Sequence, residues 1–141
     1  MSSPLTTTQE FRSPRAIVAG HGEFAAGLVS AVDQITGRGE LFVPLSNRDM
    51  SAQDVERALR EAIAAGEEIK VIFTDLPAGS CTMAARRLIR ERSDLTLVTG
   101  TNLATLLDFA FHTDVPPIEA AQHAADKGRA ALAVTGAPSG H

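Results

Sequence analysis

Apolar residues fall in short bursts separated by amphipathic stretches, and the two kinds of segment alternate. Ile17 and Val18 lie in a run over 15–20 that reads as a buried strand. After Gly20-His21-Gly22 the period changes. Phe24, Leu28, Val32 and Ile35 recur at helical steps and predict a helix over 23–36, stopped by Gly37. Residues 41–45, LFVPL, predict a second strand, with Pro44 marking a sheet edge or a strand end. Ser51 then opens a helix with Asp54 in the capping-box position, a buried stripe of Val55, Leu59 and Ile63, and a stop at Gly66. The third strand is expected over 69–76. A Pro-Ala-Gly-Ser turn and a helix over 80–92 follow, with Ala84, Ala85 and Leu88 inward. The fourth strand is expected over 95–100, and Asn102 caps a helix whose apolar face is Leu103, Leu106, Leu107 and Phe111. Beyond Pro116-Pro117 the pattern predicts a helix over 117–127 and then an apolar segment, AALAV, over 130–134.

Strand and helix alternate four times. That order predicts an α/β fold: an open, mostly parallel, doubly wound sheet in the flavodoxin-like order, with helices on both faces. The AALAV segment follows its helix too closely for another standard unit, so it is expected as an edge strand, on this chain or on a partner subunit. One domain is expected over 15–135. Residues 1–14 are polar, without the apolar core of a signal peptide, and are expected as a mobile tail; 136–141 are expected as a flexible end.

Composition narrows the function. The chain has 141 residues, 44% of them hydrophobic, enough for one real core. A net charge of -4 gives no basis for binding a nucleic-acid backbone, and without Trp or Tyr there is little to stack on bases. Cys81 is the only cysteine, so a disulfide within the chain is impossible and a thiolate zinc site is not expected. No metal or cofactor is expected. No apolar run approaches a membrane span, and a cytoplasmic protein is expected.

Chemistry concentrates at two strand ends. The first strand stops at His21, and the third ends in FTDLPAGS, with Asp75 at its tip and Gly79-Ser80 opening a helix. Parallel strands bring their carboxyl ends to one edge of the sheet, which would set Asp75 beside His21. A carboxylate bonded to one imidazole nitrogen fixes the tautomer and leaves the other nitrogen as a nucleophile. Gly79, Ser80 and Cys81 would offer backbone N–H groups to an anion at a helix N-terminus. Nucleophile, orienting group and anion cradle are the parts of a phosphohistidine site.

The runs IVAGHGEFAAGL, FTDLPAGSCTMAARR and LVTGTNLATLLDFAF resemble the mannose/fructose-type IIA component of the bacterial sugar phosphotransferase system. That family's pattern is His-Gly-x-x-Ala-x-Gly after the first strand and Asp-x-x-Gly-Gly-Ser after the third. Here the pattern is carried by His21-Gly22-Glu23-Phe24-Ala25-Ala26-Gly27 and Asp75-Leu76-Pro77-Ala78-Gly79-Ser80. The resemblance implies a phosphoryl relay. His21 takes the group from the phosphocarrier HPr and passes it to a IIB component, which serves membrane IIC/IID transporters. It also implies that Asp75 orients His21, that Ser80 and its neighbours hold the phosphoryl oxygens, and that the chain forms a homodimer by exchanging its C-terminal strand. Gly20 stands where the family usually has Thr or Ser, Ala78 where it has the first Gly of the pair, and Cys81 where it has Pro.

Blander readings stand beside these. His21 alone is as readily a solvated histidine, Asp75 a turn cap, and Ser80 a helix cap. Cys81 reads as a small buried residue, His112 as a helix-end cation, and His123 and His141 as surface residues. The rival functions are a histidine-phosphatase-like enzyme, which needs an Arg before the nucleophile where Gly20 stands; a IIA-like subunit serving dihydroxyacetone kinase; and a flavodoxin- or receiver-like binding module.

Overall fold

In the computed structural model, residues 13–137 are described; the expected tail over 1–14 falls almost wholly outside them, as does most of the expected flexible end. Four strands form one parallel sheet: β1 (Ala16–Gly20), β2 (Phe42–Ser46), β3 (Val71–Thr74) and β4 (Thr96–Val98), in the order β2-β1-β3-β4. This is the expected doubly wound arrangement. The two central strands, β1 and β3, are buried along their whole length, as parallel strands covered on both faces should be. Pro44 lies within β2, an edge strand, where its missing N–H does not interrupt a ladder on both sides.

Successive strand residues face opposite sides of the sheet. Ala16, Val18, Val71 and Phe73 meet the helices α1 (Phe24–Thr36), α4 (Leu103–Ala110) and α5 (Pro117–Ala131). Ile17, Ala19 and Ile72 meet α2 (Ala52–Ala65) and α3 (Ser80–Glu91). The Ser51 capping box is present: its side chain accepts from the Asp54 N–H at 3.1 Å, and the Asp54 carboxylate accepts from the Ser51 N–H at 3.1 Å. Asn102 caps α4 in the same way, accepting from the Thr105 N–H at 3.0 Å.

Three expectations are corrected. Phe111 is not part of the α4 core face; the helix ends at Ala110, and Phe111 is exposed with the Arg38 guanidinium 5.5 Å above its ring. Phe109 takes its place inside, with its ring edge-on to Phe73 at 5.1 Å. Ile35, in the last turn of α1, is also exposed. The last helix does not stop near residue 127 but continues to Ala131. Gly128 lies inside it because α4 passes too close for any side chain: an added Cβ would overlap the Thr105 hydroxyl, and the Gly128 carbonyl accepts from Asn102 Nδ2 at 2.9 Å. Ala130 and Ala131 are therefore helical. Residues 132–135 pair with no strand among the described residues, and Leu132 and Val134 are 84% and 99% exposed.

Candidate functional site

The order β2-β1-β3-β4 reverses direction between β1 and β3, and the carboxyl ends at such a switch point open a crevice. Ala19 is in register with Thr74. The next residues along each strand therefore enter the crevice side by side, and His21 and Asp75 meet there.

One carboxylate oxygen does two jobs. Asp75 Oδ2 accepts from the His21 backbone N–H at 2.9 Å and lies 2.8 Å from the His21 ring Nδ1. Burial pushes the Asp75 carboxyl up, but the His21 side-chain and backbone hydrogen bonds and the ring's charge outweigh it and hold the pKa below the ordinary 3.8. An ionised carboxylate only accepts, so Nδ1 is the donor in this bond, and Nε2 is the ring nitrogen left outside it. The Asp75 side chain is 11% exposed and the His21 side chain 52%. The carboxylate is sheltered while the imidazole is open to solvent.

The N-terminus of α3 faces that ring. Gly79, with φ at 111°, precedes the helix, and a Cβ placed on it would lie 3.3 Å from His21 Cε1 and 3.9 Å from Nε2. The first helical bond joins the Met83 N–H to the Gly79 carbonyl at 2.9 Å. The amides of Ser80, Cys81 and Thr82 precede it, and their partial positive charge suits an anion. Thr82 braces the turn from below: its hydroxyl donates to the Leu76 carbonyl and lies 2.6 Å from the Thr74 hydroxyl. The Ser80 hydroxyl accepts from Asn47 Nδ2 at 2.9 Å, which holds it at the start of α3.

Cys81 is buried, and burial, reinforced by the Asp75 charge and opposed by a Ser80 hydrogen bond, pushes its thiol up to about 11. Its backbone can serve the anion site; its thiol is protonated and shielded. Gly20 is packed on both sides, since an added Cβ would lie 2.5 Å from Phe24 Cδ2 and 2.9 Å from Asp75 Oδ2.

Two neighbours escaped the sequence reading. Asn47 follows β2 directly, and its N–H donates to the Gly20 carbonyl at 3.1 Å, tying the ends of β1 and β2 together. Arg48 sits beside the histidine turn, with its guanidinium on Glu23 at 3.1 Å. Their place just after a strand is the signal that marked His21 and Asp75. His112 and His123 lie elsewhere, on Asp108, and His141 is outside the described residues.

The family described as the fructose IIA component of the phosphotransferase system (EIIA-man) matches residues 15–125. Among solved structures, the mannose/sorbose-specific IIA subunit from Enterococcus faecalis is 23% identical. It matches with a TM-score of 0.75 over 89% of this chain and 97% of that one. The component EIIA from Streptococcus agalactiae is 23% identical, with a TM-score of 0.76 over 85% and 95%. The IIA protein associated with a fucose utilization operon in Streptococcus pneumoniae is 20% identical, with a TM-score of 0.67 over 81% and 90%. Among curated proteins no sequence matches the chain.

Proposed function

Because the chain belongs to the EIIA-man family and is a phosphoryl carrier of the sugar phosphotransferase system, we propose that His21 Nε2 holds the phosphoryl group and that Asp75 positions it. The observation that carries this assignment is the bridging of Asp75 Oδ2 to both the His21 N–H and Nδ1. It holds the ring in rotation, with Nε2 beside Gly79 at the N-terminus of α3, where an added Cβ would lie 3.9 Å from it.

In the forward step Nε2 attacks the phosphorus carried by HPr. The Nε2–P bond forms as the bond from phosphorus to the donor breaks. No proton needs to leave the ring, since Nε2 begins unprotonated, and the ring becomes formally cationic. Asp75 then faces a positive ring, and the partial charges of the helix N-terminus face the phosphoryl oxygens. The Ser80 hydroxyl donates to one of those oxygens. In transfer to IIB a nucleophile of that protein bonds to phosphorus as the Nε2–P bond breaks, and the electron pair of that bond returns to Nε2. Leu76 and Met83, both exposed on the elements around the ring, give the partner proteins an apolar contact.

The test uses phosphoenolpyruvate, Enzyme I and HPr, followed by mass spectrometry and peptide mapping. One phosphoryl group per chain on His21 is expected, and only when all three are present. An unchanged mass alongside a labelled control IIA protein, or a label on another residue, overturns the assignment. Transfer onward to a IIB protein rather than to a dihydroxyacetone kinase subunit identifies the acceptor.

The same reading extends to assembly and place. The exposed Leu132 and Val134 and the open edge of β4 support a homodimer in which residues 132–135 of each copy pair with the other. Between β4 and α5 runs a groove lined by Val98, Thr99, Gly100, Gly128 and Leu132. The chain works in the cytoplasm, a reading supported by its relay partners. No helix among the described residues is long and apolar enough to cross a membrane.

A further inference from the structure

At the opposite edge of the sheet, α4 returns to the amino ends of the strands, where Arg15, just before β1, donates to the Thr113 carbonyl at 3.0 Å. Three side chains converge there that the relay does not use. Asp108 lies on α4, His112 in the turn after it, and His123 on α5. His123 Nδ1 is 2.7 Å from Asp108 Oδ2, and His112 Nδ1 is 3.5 Å from the same oxygen. The two rings lie 4.4 Å apart between centroids, tilted by 42°. The possible donor atoms of all three residues lie within 4.8 Å of one another.

The surroundings leave this carboxylate unusually dependent on the two rings. Its side chain is 11% exposed, and among the described residues no lysine or arginine pairs with it. A single divalent ion placed among the three donors compensates its charge and satisfies both rings. We propose that Asp108, His112 and His123 form a binding site for a divalent transition-metal ion of the zinc class.

Two imidazole nitrogens and one carboxylate oxygen favour zinc, nickel, copper or cobalt over magnesium or calcium, which prefer oxygen alone. Bond lengths of about 2.0–2.2 Å in a tetrahedral site put ligand atoms about 3.3–3.5 Å apart. The His112–Asp108 separation already has that value, and the His123–Asp108 pair needs to open by well under 1 Å. His112 and His123 are partly exposed, so the ion has a way in and a water can take the fourth position. Without metal His112 Nδ1 donates to the Asp108 carbonyl at 2.8 Å, a bond that ligation through Nδ1 would replace with release of that proton. Bound metal would join α4, its following turn and α5, and so pin the helix that leads to residues 132–135.

The experiment takes the tag-free full chain, stripped with chelator, and titrates cobalt(II) while recording its visible d–d spectrum, then displaces the cobalt with zinc. Zinc alone is followed in parallel by thermal unfolding. One cobalt per chain with tetrahedral absorption, and a higher Tm with zinc, are expected. His123→Gln and Asp108→Asn should each weaken binding by at least about tenfold. His21→Ala and His141→Ala should bind as the parent does. His123 is half exposed, so its glutamine variant should remain folded and keep the test decisive if the Asp108 variant does not. No cobalt spectrum and no zinc shift, or binding lost in His21→Ala but kept in His123→Gln, overturns the proposal.

Discussion

Asp75 holds His21 at two points with one atom: Oδ2 takes the backbone N–H at 2.9 Å and faces ring Nδ1 at 2.8 Å. Main chain and imidazole therefore cannot turn independently, and ring Nε2 is held in one direction.

The first prediction separates nucleophile from anchor. His21→Ala should abolish phosphoryl labelling from HPr, since no other described side chain stands at that place. Asp75→Ala should remain folded and label more slowly, by about 10–100-fold, as lost orienting partners commonly cost. Asp75→Asn should be slowed as well. Its amide can offer an N–H to Nδ1, which favours the tautomer with the proton on Nε2. Rapid-quench labelling with circular dichroism as the folding control checks all three; parental rates in both Asp75 variants would defeat the paired-site argument.

Gly79 should tolerate no side chain. Its φ of 111° is foreign to L-residues, and a Cβ would press on His21 Cε1 at 3.3 Å. Gly79→Ala should cost about 1–3 kcal/mol in urea unfolding. It should also slow labelling on the order of 10–100-fold, because the ring is displaced from the helix amides. A variant with parental kinetics would place the anion cradle elsewhere.

Cys81 should be silent. With its thiol pushed up to about 11 by burial, it stays protonated through the neutral range and meets little solvent. Iodoacetamide at pH 8 should leave the native protein unmodified and label it fully in denaturant. Cys81→Ala should keep the parental transfer rate. Fast alkylation of the folded chain would show that the first turn of α3 opens.

Much of this was legible in the sequence because the signals were local. The period change at Gly20-His21-Gly22 marked the end of β1, and the Ser51 and Asn102 caps were visible as residue types in position. The pairing of His21 with Asp75 followed from topology alone, since parallel strands bring their carboxyl ends together. What stayed hidden depended on packing between elements distant in sequence. Phe109 and Phe111 both fit an apolar helix face, and only the position of Phe73 selects Phe109. The last helix was expected over 117–127, and only the packing of α4 on α5 shows Gly128 to be a point of contact with Thr105 inside a longer helix. Asp108 and His112 stand one helical turn apart in the sequence, but His123 joins them only because α5 lies against α4.

The C-terminal segment should control assembly. Since Ala120, Ala121 and Ala124 are buried against the sheet, a cut at Pro117 would remove part of the core, and the informative truncation ends at Ala131. The full chain should scatter light as a dimer and show a Tm that rises with concentration. The shortened chain should stay folded and be monomeric. A monomeric full chain would remove the strand-pairing idea while leaving the relay untouched.

The last prediction concerns Gly20, where the wider family usually carries a hydroxyl. The space for that side chain is already filled here: a Cβ would lie 2.5 Å from Phe24 Cδ2, and 2.9 Å from the Asp75 Oδ2 that holds His21. Gly20→Thr should therefore do double damage. It should cost about 1–3 kcal/mol through overpacking, and it should slow labelling by shifting the Asp75 carboxylate. The two losses have different sources and should separate in a second variant. Gly20→Thr combined with Phe24→Ala vacates the side occupied by the ring, so stability should recover relative to the sum of the single changes. Labelling should recover less, because the Asp75 contact persists. Urea unfolding and rapid-quench labelling on the parent, both single variants and the double variant measure the two couplings. Strict additivity of the two unfolding free energies would mean that Phe24 does not fill the space beside Gly20.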